Sequence, residues 1–199
     1  MLLFLPIFAY LCGSIPFGRL FGRWIGIDIT RVGSGNIGAT NVRRVGGNFW
    51  GFLTLFADIF KGALPAGWML WFVHRHELLN SPVFSVILIS LTGLLAILGH
   101  MFPVYTGFRN GGKGVATTAG VFGILCPWGA LWALGAFLLG VGLSRKASVG
   151  SLSAAALLPI ATGYYDFPLL PAAILSSVLI IYKHAANIER LLSGKEPSV

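Results

Sequence analysis

The sequence predicts an all-α integral membrane protein with seven transmembrane helices, its N-terminus outside and its C-terminus cytoplasmic. Of the 199 residues, 56% are hydrophobic and 10% charged, whereas about a quarter of the residues in an ordinary soluble domain are charged. The apolar residues fall in long runs without the alternation of a half-buried strand, and helices satisfy every backbone polar group inside hydrocarbon. The basic residues, finally, collect in alternate loops, as the positive-inside rule requires of a polytopic chain.

Apolar runs bounded by charge, Pro or Gly place spans near 2–22, 49–73, 82–105, 114–126, 128–144, 149–164 and 167–183. The opening MLLFLPIF has no basic region before its apolar run and no small-residue cleavage site after it, so it reads as a retained first span. Residues 114–144 admit either one tilted helix or two short helices broken near Pro127, and charge decides between them. With seven spans, twelve of the fourteen Lys and Arg lie on one side; only Arg75 falls in an outer loop and Lys61 inside a span. Merging 114–144 and 149–183 into single helices strands Arg145 and Lys146 outside and leaves ten. The polar stretches 23–48 and 184–199 are too short for a soluble core, so residues 1–199 read as a single polytopic domain.

The net charge of +8 is spread over several membrane-flanking loops without interleaved aromatics, which excludes a nucleic-acid surface and makes the lipid bilayer the expected partner. Cys12 and Cys126 lie in separate apolar segments without metal-ligand spacing and read as buried thiols. Asp58 and Lys61, one helical turn apart within a span, read as a structural ion pair, and His100 as a helix-packing donor.

Four loop segments carry candidate chemistry, and the charge-derived topology puts all four on the cytoplasmic face. In VGSGNIGATNVRRVGG, residues 32–47, glycines alternate with Ser34, Asn36, Thr40 and Asn41 and precede Arg43 and Arg44. Glycine lets backbone N–H groups converge on an oxyanion, hydroxyls and amides add donors, and arginine supplies a fork matched to phosphate. A linker between helices would need no such alternation. In GFRNGGKGVATT, residues 107–118, Gly111, Gly112, Lys113 and Gly114 open a helix at whose N-terminus an anion is favoured. The segment nearly matches a phosphate-binding P-loop, but Gly114 stands where that motif has Ser or Thr and no soluble strand precedes it. A smaller phosphate than a nucleotide is therefore expected.

In RKASVGSLS, residues 145–153, Ser148 either donates to an anion or caps the following helix. In KHAANIERLLSG, residues 183–194, His184 and Asn187 are spaced to share a helix face. His184 with Glu189 also approaches an H-x-x-x-x-D pattern, but the acid differs and a spacing of five leaves the shared face.

In these residues the chain resembles the bacterial acyl-phosphate:glycerol-3-phosphate acyltransferases, the PlsY family. AYLCGSIPFG at 9–18, GSGNIGATN at 33–41, DIFKG at 58–62, GHMFP at 99–103, GGKGVAT at 111–117 and HAANIERLL at 184–192 stand in that family's order. Arg109-Asn110 before GGKG and Lys146 depart from the usual pattern. The resemblance implies a multi-pass protein of the bacterial cytoplasmic membrane that takes part in phospholipid synthesis without cofactor, metal or obligate protein partner. The reaction it implies passes a fatty acyl group from acyl phosphate to the 1-hydroxyl of glycerol 3-phosphate, giving lysophosphatidic acid and phosphate.

Carried over by motif position, Ser34, Arg44 and Lys113 would hold glycerol 3-phosphate. Asn36, Thr40, Asn41, Gly111, Gly112, Gly114, Ser148, His184 and Asn187 would surround the acyl phosphate, and Lys113, Ser148, His184 and Asn187 would be catalytic. An acyl phosphate is already an activated anhydride, so alignment and neutralisation of the leaving phosphate suffice and direct transfer is expected. The proton goes either to His184 or to a substrate phosphate oxygen. A small transporter of an organic phosphate is the competing class, since a midspan charge pair and anion-binding loops also suit transport.

Overall fold

A computed structural model describes residues 4–76 and 81–199. The first residues of the expected first span, and part of the outer loop after Arg75, lie outside the described residues. The described residues form ten α-helices, two 3-10 turns and no strand. In order these are α1 (Phe4–Gly13), α2 (Phe17–Trp24), α3 (Ala39–Gly46), α4 (Asn48–Arg75), α5 (Pro82–Met101), α6 (Val115–Leu125), α7 (Pro127–Ser144), α8 (Ala147–Tyr165), α9 (Leu170–Lys183) and α10 (Ala185–Leu192), with 3-10 turns at Val104–Thr106 and Phe167–Leu169. The chain divides into two compact units, one reaching Val121 and the other starting at Phe122 inside α6.

Proline sets several helix boundaries, because it lacks an N–H and drives the preceding residue out of the α region. Phe102, before Pro103, sits at φ −134° and ψ 68°, so the α-helix of the expected span 82–105 stops at Met101. Cys126, before Pro127, sits at φ −142° and ψ 74°, and residues 114–144 are accordingly two helices. The first span is likewise interrupted at Ser14–Pro16.

Four stretches, Phe4–Trp24, Pro82–Thr106, Pro127–Ser144 and Ala147–Tyr165, are long and apolar enough to cross a membrane; α9 with α10 makes a fifth candidate bent by 58°. Helix α6, with 11 residues, rises only about 16 Å, roughly half the hydrocarbon thickness. The exposed side chains are those of lipid-facing helices: Phe52, Ile160 and Leu143 are 73%, 69% and 81% exposed.

In the first unit α1 packs on α5 through small residues. A Cβ on Gly13 would fall on the Ala96 carbonyl, and one on Gly99 on the Tyr10 carbonyl, so the two backbones touch as in small-residue membrane interfaces. Polar ends lock this contact: the Tyr10 hydroxyl donates to the Phe102 carbonyl at 2.7 Å, and the Ser14 hydroxyl donates to the Tyr10 carbonyl at 2.8 Å. Helix α4 meets α6 in the same way, with Gly62 against Thr117 and Gly120 against the Ile59 carbonyl. Leu5, Met69, Phe72, Val73 and Leu88 form an apolar core among α1, α4 and α5.

In the second unit α7 and α8 form a tight hairpin. Gly150 lies against the Phe137 carbonyl, and Arg145 turns the chain in the left-handed region at φ 56°. Ser144 staples that turn, donating to the Gly140 carbonyl at 2.6 Å and accepting from the Lys146 N–H at 3.1 Å.

Candidate functional site

Anion-binding candidates occur in both units. In the first unit, the loop from Arg31 to Gly38 is folded by Asn41, a buried residue of α3. Its side-chain oxygen accepts the Ser34 N–H at 2.9 Å, while its amide nitrogen donates to the Val32 carbonyl at 3.1 Å and the Ile29 carbonyl at 3.3 Å. Gly33, at φ +60°, admits this amide because a Cβ there would occupy the position of its oxygen. Asn41 thus organises the turn that carries Ser34. Ser34, Thr40 and Arg44 are exposed and Asn36 is half-buried, and Arg44 stands in the last turn of α3.

The second loop rests on the C-terminal turn of α5. The Gly112 N–H donates to the His100 carbonyl at 3.0 Å, and a Cβ on Gly112 would fall on Nε2 of the His100 ring. A Cβ on Gly111 would meet the Met101 carbonyl, and one on Gly114, at φ +84°, the end of the Met101 side chain. The glycines are therefore demanded by close approach to α5, a reason distinct from the exposure of amides to an anion. Half-buried Lys113 lies between Gly112 and Gly114, immediately before α6.

Beneath this loop is a buried charged cluster. Lys61 Nζ lies 2.8 Å from Asp58 Oδ1 and donates to the Ile15 carbonyl at 2.8 Å. Nδ1 of His100 lies 3.6 Å from the same Asp58 oxygen. The expected ion pair is present, and His100 extends it to the loop.

In the second unit, α9 ends at His184, whose Nδ1 lies 2.8 Å from the Ile180 carbonyl. A carbonyl only accepts, so Nδ1 carries the proton and Nε2 is the basic nitrogen of the neutral ring. The sequence expects His184 and Asn187 to share a helix face at the end of the last span; the structure places them at a helix junction. The chain bends at His184, and Asn187 sits in the first turn of α10 with its N–H donating to the His184 carbonyl at 2.8 Å.

Asn187 and Ser148 are brought together around a residue the sequence pattern did not single out. The Asn187 amide donates to Glu196 Oε1 at 2.6 Å and Arg190 Nε to Glu196 Oε2 at 2.8 Å; all but Arg190 are buried. Burial pushes the Glu196 carboxyl up, but the Asn187 amide, the neighbouring Ser148 hydroxyl and the Arg190 guanidinium outweigh it and hold the group below its ordinary value. One of only six acidic residues in the chain, placed in the short polar tail KEPSV, was the available signal. Among the described residues no three His, Cys, Asp or Glu side chains are grouped to hold a metal ion.

A family model described as glycerol-3-phosphate acyltransferase matches residues 3–194. A glycerol-3-phosphate acyltransferase of Desulfotalea psychrophila is 44% identical over 97% of this chain and 95% of its own length. One from Aquifex aeolicus is 42% identical over 98% and 97%. The crystal structure of PlsY, an integral membrane glycerol 3-phosphate acyltransferase, in its glycerol 3-phosphate form covers all of this chain and 95% of that one, at 40% identity and a TM-score of 0.89. Its lysophosphatidic acid form superposes with a TM-score of 0.86. The transporter reading is thereby set aside: the chain is an enzyme and belongs to the glycerol-3-phosphate acyltransferase family.

Proposed function

We propose that the acyl donor is an acyl phosphate and that its acyl group passes directly to the 1-hydroxyl of sn-glycerol 3-phosphate, giving lysophosphatidic acid and inorganic phosphate on the cytoplasmic face of the bacterial inner membrane. What supports this reading is that one short chain carries two sets of groups suited to phosphate. A donor and an acceptor that each bear a phosphate need two such sets, whereas a thioester donor with the same acceptor needs only one at the reacting end. In the first unit, Ser34, Arg44 and Lys113 hold glycerol 3-phosphate. Asn36, Thr40 and the Gly111 and Gly114 amides serve the acyl phosphate, Gly112 contributes by seating the loop on His100 with its own N–H, and Asn41 contributes by folding the loop that presents Ser34. In the second unit, Ser148, His184 and Asn187 are assigned to the acyl phosphate.

Direct transfer follows from the chemistry of the donor. The hydroxyl oxygen attacks the acyl carbon, the bond from that carbon to the phosphate oxygen breaks, and phosphate leaves with its electron pair. The proton of the attacking hydroxyl goes to His184 Nε2 or to a phosphate oxygen. Lysine and backbone donors neutralise charge that grows on the leaving phosphate. Seven spans with a cytoplasmic C-terminus remain the topology that the loop charges favour, with α4, α6 and α9 as spans beside Phe4–Trp24, α5, α7 and α8.

The test is phosphate release by the purified enzyme in lipid-like medium with palmitoyl phosphate and glycerol 3-phosphate, beside palmitoyl-coenzyme A as the other donor. Release that requires both substrates, and its collapse in Lys113→Ala, supports the reading. Turnover with the thioester alone would overturn it.

A further inference from the structure

We propose that Asp58 and His100 are positioning residues for glycerol 3-phosphate: they fix the Gly111–Gly114 loop from below and thereby place Lys113. The inference rests on the reading of that loop as a phosphate site. Three observations carry it. First, His100 has two faces in use, its carbonyl accepting the Gly112 N–H at 3.0 Å and its ring lying where a Gly112 Cβ would be. Gly112 is thus held by both main chain and side chain of one residue. Second, the opposite ring nitrogen faces Asp58, 3.6 Å away, and both side chains are 3% exposed. A buried carboxylate next to Nδ1 favours the tautomer with its proton there, which sets the nitrogen presented to the loop. Third, Asp58 is anchored by Lys61, which donates onward to the Ile15 carbonyl, so the ring rests on a carboxylate that cannot turn away.

A simple ion pair between α4 and its neighbours would need Asp58 and Lys61 alone. Placing an imidazole between that pair and a glycine loop is expensive inside a membrane, where ionisable groups persist when they pair or serve a site. The cluster also explains why the loop has glycine at 112, since any side chain there would displace His100.

The experiment separates position from stability. In His100→Ala, the KM for glycerol 3-phosphate is expected to rise about tenfold or more, with any fall in kcat smaller than that rise, because loop placement acts first on binding of the acceptor. His100→Gln, whose amide still reaches Asp58, is expected to recover most of the affinity. Thermal unfolding in detergent accompanies each variant. Should His100→Ala fail to fold, His100→Asn, too short to reach both Asp58 and the loop, carries the same expectation.

An unchanged KM in a folded His100→Ala or His100→Asn enzyme would overturn the proposal, as would a loss confined to kcat. Lys113→Ala distinguishes the two levels of the argument. If it leaves the glycerol 3-phosphate KM unchanged, the reading of the loop fails and the inference falls with it; if it raises that KM while the His100 variants do not, the positioning role alone fails.

Discussion

At the scale of single residues, hydrogen-bond directions say more than residue types. Nδ1 of His184 is bound to the Ile180 carbonyl at 2.8 Å, so the ring is held in the tautomer whose Nε2 can take a proton. If His184 is the base, His184→Ala lowers kcat by about 10²–10⁴; a variant that keeps near-normal turnover assigns the proton to a substrate phosphate. Glu196 offers a second residue-scale expectation. Its carboxyl is held below the ordinary 4.5, so it stabilises the fold fully above the unfolded value, and that contribution is lost as pH falls through the folded value. Glu196→Gln is expected to cost about 1–3 kcal/mol at pH 7, as loss of a charge-assisted pair does. The melting temperatures of variant and parent, measured in detergent, should converge as the pH falls below 4.5.

At the scale of elements, the helices are joined by glycine faces. Gly120 lies against the Ile59 carbonyl, whereas Gly135 on α7 has nothing within 4 Å of an added Cβ. Gly120→Ala must push α4 and α6 apart and is expected to destabilise by about 1–3 kcal/mol. Gly135→Ala meets only open space and should stabilise its helix by about 0.5–1 kcal/mol. Thermal unfolding of the two variants checks the contrast, and equal effects would remove the glycine contact as the basis of α4–α6 packing. The helix break near Pro127 is read from the sequence; those at Pro16 and Pro103 fall inside the expected spans 2–22 and 82–105, although the same covalent geometry produces them. The bend at His184 was not visible: the expected last span ends at residue 183, but no proline marks a change of helix direction there.

At the scale of the whole molecule, the topology drawn from loop charge makes its own prediction. With Cys12 and Cys126 replaced, a cysteine at His76 should react with a membrane-impermeant maleimide from outside whole cells. One at Ser193 should react only after the membrane is opened. Labelling of both positions from outside would reject the seven-span orientation. Helix α4 alone is consistent with a full crossing: Trp50 and Trp71 lie about 31 Å apart along its axis, the spacing of two aromatic belts.

By itself the sequence determined the class of the protein and the helical character of its apolar runs, and it marked the glycine-rich loops as candidates for phosphate. Each depends on composition, covalent geometry or short-range pattern, and none needs a distant partner. Gly111, Gly112, Lys113, Ser34 and Arg44 stood out as candidates for that reason. Only the tertiary structure decided what each polar group faces. It turned Asn41 inward to fold its loop, set His100 between Asp58 and Gly112, and seated Glu196 on Asn187 and Arg190. Those pairings join residues distant in the chain, as with Asp58 and His100, or residues that a loop folds back on one another, as with Ser34 and Asn41, where no periodicity carries information. Burial then requires each polar group to find a partner, and the fold alone says which one.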